Sequence, residues 1–80
     1  MNNSTATTDQ PNVFTVARRI GAKIIHTRTL EPATDGFKIV MATNDRGEHV
    51  TWLYANGGFH NGHYYGDSFV DCVLDFMKRA

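Results

Sequence analysis

Two alternating runs constrain the fold of this chain most strongly: Phe37–Thr43 (FKIVMAT) and His49–Ala55 (HVTWLYA). Both are rich in the β-branched and aromatic residues that suit a pleated, half-buried surface. The polar residues Asn44-Asp45-Arg46-Gly47-Glu48 between them, with their glycine, predict a hairpin turn. Phe37, Ile39 and Met41 fall on one face of the first strand. In the second, Val50, Trp52 and Tyr54 alternate with His49, Thr51 and Leu53. Asn56-Gly57 then carries a type I′ turn signal, and Asn61-Gly62 repeats it five residues later. A short or bulged strand is expected between Gly58 and Tyr65.

Upstream, Ala22–Leu30 (AKIIHTRTL) reads as a further strand, with Ile24, His26, Arg28 and Leu30 on one face and Lys23, Ile25, Thr27 and Thr29 on the other. Neither face is purely apolar, which predicts an edge or an incompletely covered strand. Glu31–Gly36 carries Pro and Asp-Gly and reads as a loop. A short helix is expected over Val13–Ile20: Asn12 suits the N-cap, Val13, Val16, Ala17 and Ile20 share a face, and Gly21 suits the C′ position. A helix continuing to His26 is the rival reading. The C-terminal helix is clearer. Asp67 or Ser68 caps it, Phe69, Cys72, Val73 and Phe76 form its stripe, and Val70 and Met77 widen that stripe. The expected class is therefore α+β. It is an antiparallel sheet of three to four strands, with a short N-terminal helix and a C-terminal amphipathic helix packed on one face, in the order α-β-β-β-α. Val73, Phe76 and Trp52 or Phe37 are the expected core.

Met1–Gln10 is polar and lacks Leu, Ile, Val and aromatic residues, so residues 1–11 are expected as a tail before one domain over 12–80. It lacks the features of a signal peptide, and no run approaches the ~18 apolar residues of a membrane span, so a cytoplasmic protein that leaves membranes alone is expected. A single cysteine, Cys72, excludes an intramolecular disulfide; on the helix stripe it reads as core. Lys plus Arg and Asp plus Glu number eight each. That balance disfavours a general nucleic-acid binder and allows a homodimer, through the Ala22–Leu30 edge or the first helix.

His60-Asn61-Gly62-His63 has H-x-x-H spacing, to which His49 or His26 could add a third zinc ligand. Two imidazoles flanking an Asn-Gly turn fall short of the three or four ligands a zinc site takes, so neither metal nor cofactor is assigned. A histidine base beside Asp67 or Asp45 lacks a nucleophile elbow, a phosphate loop or paired carboxylates, so no catalytic residue is assigned and a non-enzyme is expected. Arg18, Arg19, Lys23 and Arg28 could form a nucleic-acid surface. The element order is similar to that of double-stranded RNA-binding domains, but Asp67–Asp71 places acid where those carry lysines. Nucleic-acid binding or regulation is the alternative function. The leading candidates for partner contact are Phe59, His60, His63, Tyr64 and Tyr65, in an aromatic, Gly- and Asn-rich stretch of the kind binding surfaces use. Arg46 at the hairpin tip and Arg28 are secondary candidates.

WLYANGGFHNGHYY followed by FVDCVLDFMKR resembles, over Phe37–Ala80, the C-terminal halves of small proteins of phages and mobile elements, a group that includes the anti-CRISPR and other anti-defence inhibitors. The resemblance lies in an aromatic strand, a glycine-rich loop and an amphipathic end. It implies a small protein-binding inhibitor that sterically blocks a host protein or ribonucleoprotein complex in the host cytoplasm, and it carries over no functional residue.

Overall fold

The computed structural model describes residues 12–30 and 37–79. The order is α1 (Val13–Arg19), β1 (Lys23–Thr29), β2 (Lys38–Thr43), β3 (His49–Ala55), β4 (Gly58–Tyr64) and α2 (Phe69–Lys78). The strands form one antiparallel meander in the order β1-β2-β3-β4, so β1 and β4 are its edges. The α+β class is as expected, with four strands. The Met1–Gln10 tail and the Glu31–Gly36 loop lie outside the described residues.

Local chemistry accounts for the boundaries. Asn12 caps α1, its Oδ1 accepting from the Thr15 amide at 2.9 Å. Gly21 at φ +74° carries the chain out of α1, and this left-handed residue rules out the longer helix to His26. Asn56 (φ +53°) and Gly57 (φ +79°) supply the two positive φ values of a type I′ turn between β3 and β4. Ser68 caps α2, accepting from the Asp71 amide and donating its hydroxyl to the Asp71 carboxylate at 2.8 Å.

The central strands are apolar on both faces, and this separates the helices. Val40, Ala42, Val50, Trp52 and Tyr54 cluster with Val13 and Ala17 of α1 and with Ala22. Ile39 and Met41 point the other way, to Cys72 and Phe76 of α2, with Leu30, Leu53, Tyr65 and Val73 packed alongside. The expectation of both helices on one face is corrected: α1 covers one face and α2 the other. Trp52 therefore belongs to a different cluster from Val73 and Phe76.

A bulge in β1 is the second departure. Ile24 pairs with Ala42 and His26 with Met41, so Ile25 is the extra residue. It breaks the simple alternation, because Ile24 packs on the α1 face while Leu30 joins the α2 cluster and the His26 ring meets Phe76. This explains why neither face of the run read as apolar.

The inward and outward faces of α2 should respond oppositely to truncation. Phe76→Ala, at a site 5% exposed, should cost about 3–5 kcal/mol. Val70→Ala, on the outer side, should change stability by about 0.5 kcal/mol or less. Chemical denaturation checks both values.

Candidate functional site

The Asn61-Gly62 pair does not turn the chain. It lies inside β4 as a bulge: His63 pairs with Thr51 and His60 with Leu53, leaving Asn61 and Gly62 opposite Trp52 alone. Asn61 takes φ +54°, a conformation its short polar side chain tolerates. Gly62 is needed for space: a Cβ there would lie 2.7 Å from Tyr64 Cε1 and 2.9 Å from Trp52 Nε1. The bulge interrupts an edge that would otherwise offer a regular row of backbone groups to another strand.

The bulge and the pleat divide the five leading candidates between two sides. Phe59 and Tyr64 lie on the α1 side. Phe59 stacks on Trp52 with ring centroids 4.5 Å apart, and Tyr64 is 54% exposed while its hydroxyl accepts from Trp52 Nε1 at 3.4 Å. His60 and His63 lie on the α2 side, both exposed. His60 Nε2 is 3.1 Å from the Ala55 carbonyl oxygen. Tyr65 is half-buried in the α2 cluster. The residues His60 through Tyr64 thus form a continuous exposed strip along the β4 edge.

Behind this strip sits a polar junction centred on Asp75. Its Oδ2 accepts from the Thr51 hydroxyl at 2.6 Å and from His63 Nδ1 at 3.0 Å. Arg79 donates to the Thr51 hydroxyl at 2.9 Å, to the Thr51 carbonyl at 3.0 Å and to the Asn61 carbonyl. Partial burial raises the Asp75 pKa. The hydrogen bonds from Thr51 and His63, the His63 charge and the Tyr65 hydroxyl outweigh it and hold the carboxyl below its usual range. Burial, then the Asp75 charge, pushes the Tyr65 phenol up. The same two causes push the Cys72 thiol up, which keeps this fully buried sulfur a thiol. Thr51, Asp75 and Arg79 are absent from the sequence-derived candidates. The signal for Asp75 was its place between Cys72 and Phe76, which turns its carboxylate toward the sheet.

The secondary candidates separate. Arg46 is exposed at the β2–β3 turn and pairs with Glu48 at 3.2 Å. Bonds from Asn44 and Arg46 lower the Glu48 pKa. Arg28 is half-buried: it donates to the Phe76 carbonyl at 2.8 Å and to the Arg79 carbonyl, and its guanidinium lies 5.6 Å from the Phe76 ring centroid. It caps the end of α2, which gives it a structural role. The basic group Arg18, Arg19, Lys23 and Arg28 is split accordingly, the first three remaining exposed.

Among the described residues there is no group of three or more His, Cys, Asp or Glu side chains placed to hold a metal ion. No helix among them is long and apolar enough to cross a membrane. Comparison with family models, with curated proteins and with solved structures found no match.

Asp75→Asn tests the junction. At neutral pH it should cost about 1–3 kcal/mol, because charge-assisted bonds from Thr51 and His63 are lost. A depressed carboxylate stabilises the fold above its unfolded pKa and loses that contribution as pH falls through the folded value. The gap between wild type and Asp75→Asn should therefore close below about pH 4, as read by thermal melts across pH.

Proposed function

We propose that this protein works by binding another protein through the exposed strip of β4, without chemistry of its own. The carrying observation is that His60–Tyr64 is exposed yet held from behind: the His63 side chain by Asp75, the Tyr64 side chain by Trp52, and the backbone at Asn61 by Arg79. A side chain fixed before binding loses less entropy when a partner arrives. Imidazole, amide and phenol side chains on one rigid edge supply contact area and hydrogen bonds together. Because the bulge spoils backbone addition along β4, recognition goes through these side chains rather than through an added strand.

Within this reading Tyr64, His60, Asn61 and His63 are the contact residues. Phe59 and Tyr65 are their support, and Arg46, on a different turn, is peripheral. The anti-defence resemblance makes the partner a host complex whose working surface the small domain would cover. That gives the protein the role of a steric inhibitor.

The test is a comparative capture from nuclease-treated bacterial lysate, with wild type, the double variant His60→Ala/Tyr64→Ala, and Phe14→Ala on α1 as baits. A protein retained by wild type and Phe14→Ala should be lost with the double variant, since truncated anchor side chains typically cost ~2 kcal/mol or more. Circular dichroism should show all three folded. Equal retention by all baits would remove the strip from the interface, and an absence of any specifically retained protein would overturn the binding reading.

A further inference from the structure

The outer side of α2 carries an apolar stripe that neither the core nor the β4 strip uses. Val70 is 67% exposed, Leu74 55% and Met77 69%. Their spacing, four residues then three, is that of the seam residues of a two-helix packing. Cys72 and Phe76 hold the opposite side of the helix against the sheet, so the stripe faces away from the sheet. Phe14, Ile20 and Ile25 are also exposed, but they lie on α1, just after it and at the β1 bulge, and form no such seam.

Charge specifies what fits this stripe. In a heptad with Val70, Leu74 and Met77 as the seam, Asp71 and Lys78 occupy equivalent flanking positions seven residues apart, on the same side of it. Two helices crossing antiparallel about Leu74 bring equivalent flanks together. Asp71 of each copy then faces Lys78 of the other, and Val70 faces Met77. A parallel crossing loses this match. It would set each flank against the opposite one, leaving Asp71 and Lys78 of the two copies on different sides of the seam. Both side chains are exposed, and neither forms an ion pair within the chain among the described residues. One two-fold axis thus satisfies an acid, a base and three apolar side chains per copy, and a net charge of zero puts no overall repulsion between copies.

From this pattern we infer that α2 is a self-association surface, and that its occupant is α2 of a second copy, packed antiparallel about Leu74. The inference is independent of the β4 strip. It replaces β1 and α1, which the sequence suggested for a dimer, with the C-terminal helix. A ten-residue helix spans ~15 Å, so the interface is small and the dimer exchanges readily.

Sedimentation velocity on the purified chain over a wide concentration range tests it. Wild type should shift toward twice the mass of one chain as concentration rises. Leu74→Glu should weaken that association by more than about tenfold, with an unchanged circular dichroism spectrum. Asp71→Lys and Lys78→Glu should each self-associate less than wild type, since each places like charges across the axis. An equimolar mixture of the two should recover the dimer, because both facing pairs then become opposite in sign. A wild type that stays monomeric overturns the inference and leaves the stripe to a different protein. A dimer that tolerates Leu74→Glu, or two charge variants that do not recover on mixing, overturns the antiparallel α2 geometry.

Discussion

The constraint on which the architecture depends is that the central strands are apolar on both faces. In most small antiparallel sheets one face meets the core and the other meets water. Here β2 reads Ile-Val-Met-Ala without a polar break, so Val40 and Ala42 need cover on one side while Ile39 and Met41 need it on the other. One helix cannot cover both. The seven residues of α1 are too few to be stable alone, and they hold their helical form by laying Val13 and Ala17 on the face that carries Trp52. The ten residues of α2 cover the other face. The structure is therefore a three-layer arrangement, helix, sheet and helix, in a chain with little material for each layer.

Thin layers explain the polar work done around α2. Its apolar contact comes mainly from Cys72, Phe76 and Val73, which alone would leave its tilt and register loosely set. Three polar attachments set them. Arg28 on one edge strand holds the carbonyls at the C-terminal end of α2. Asp75 binds Thr51 and His63 near the other edge, and Arg79 reaches Thr51 and Asn61. The helix is thus tied to β1 at one side of the sheet and to β3 and β4 at the other. The same bonds hold the outer edge of β4, so the fold and the proposed binding strip share one set of interactions.

Much of the fold was legible in the sequence because its signals are local. Asn12 as a cap, the start of α2 at Asp67 or Ser68, Gly21 as the exit from α1, Asn56-Gly57 as a hairpin turn and the bounds of β3 all follow from the preference of one or two residues. The misread strands share one cause: β-bulges are set by what the neighbouring strand packs, not by the bulged residues alone. At Ile25 the bulge moves Ile24 to the α1 face while the downstream residues of β1 meet α2. At Asn61-Gly62 the same dipeptide that makes a turn after β3 makes a bulge within β4, because Trp52 occupies the space a Gly62 side chain would need. Asn-Gly therefore states which dihedrals are available, and packing decides how they are used.

The candidate site was legible as a region rather than as a set of side chains. Aromatic and imidazole residues between Phe59 and Tyr65 pointed to β4, but their division depends on the bulge. Without it, His60 and Tyr64 would share one side of β4 and Phe59, His63 and Tyr65 the other. With it, the unit that can meet a partner is the rim formed by His60, Asn61, His63 and Tyr64, seen edge-on, and not either face. This changes the chemistry a partner must offer. A flat apolar surface would find one exposed phenol ring beside polar groups. A surface with carbonyl or carboxylate acceptors and one aromatic slot would satisfy the rim. Burying His63 would also strengthen its bond to the Asp75 carboxylate, since charge-assisted bonds gain strength as water leaves. The junction that holds the rim in place when it is free would then hold it more tightly when it is bound.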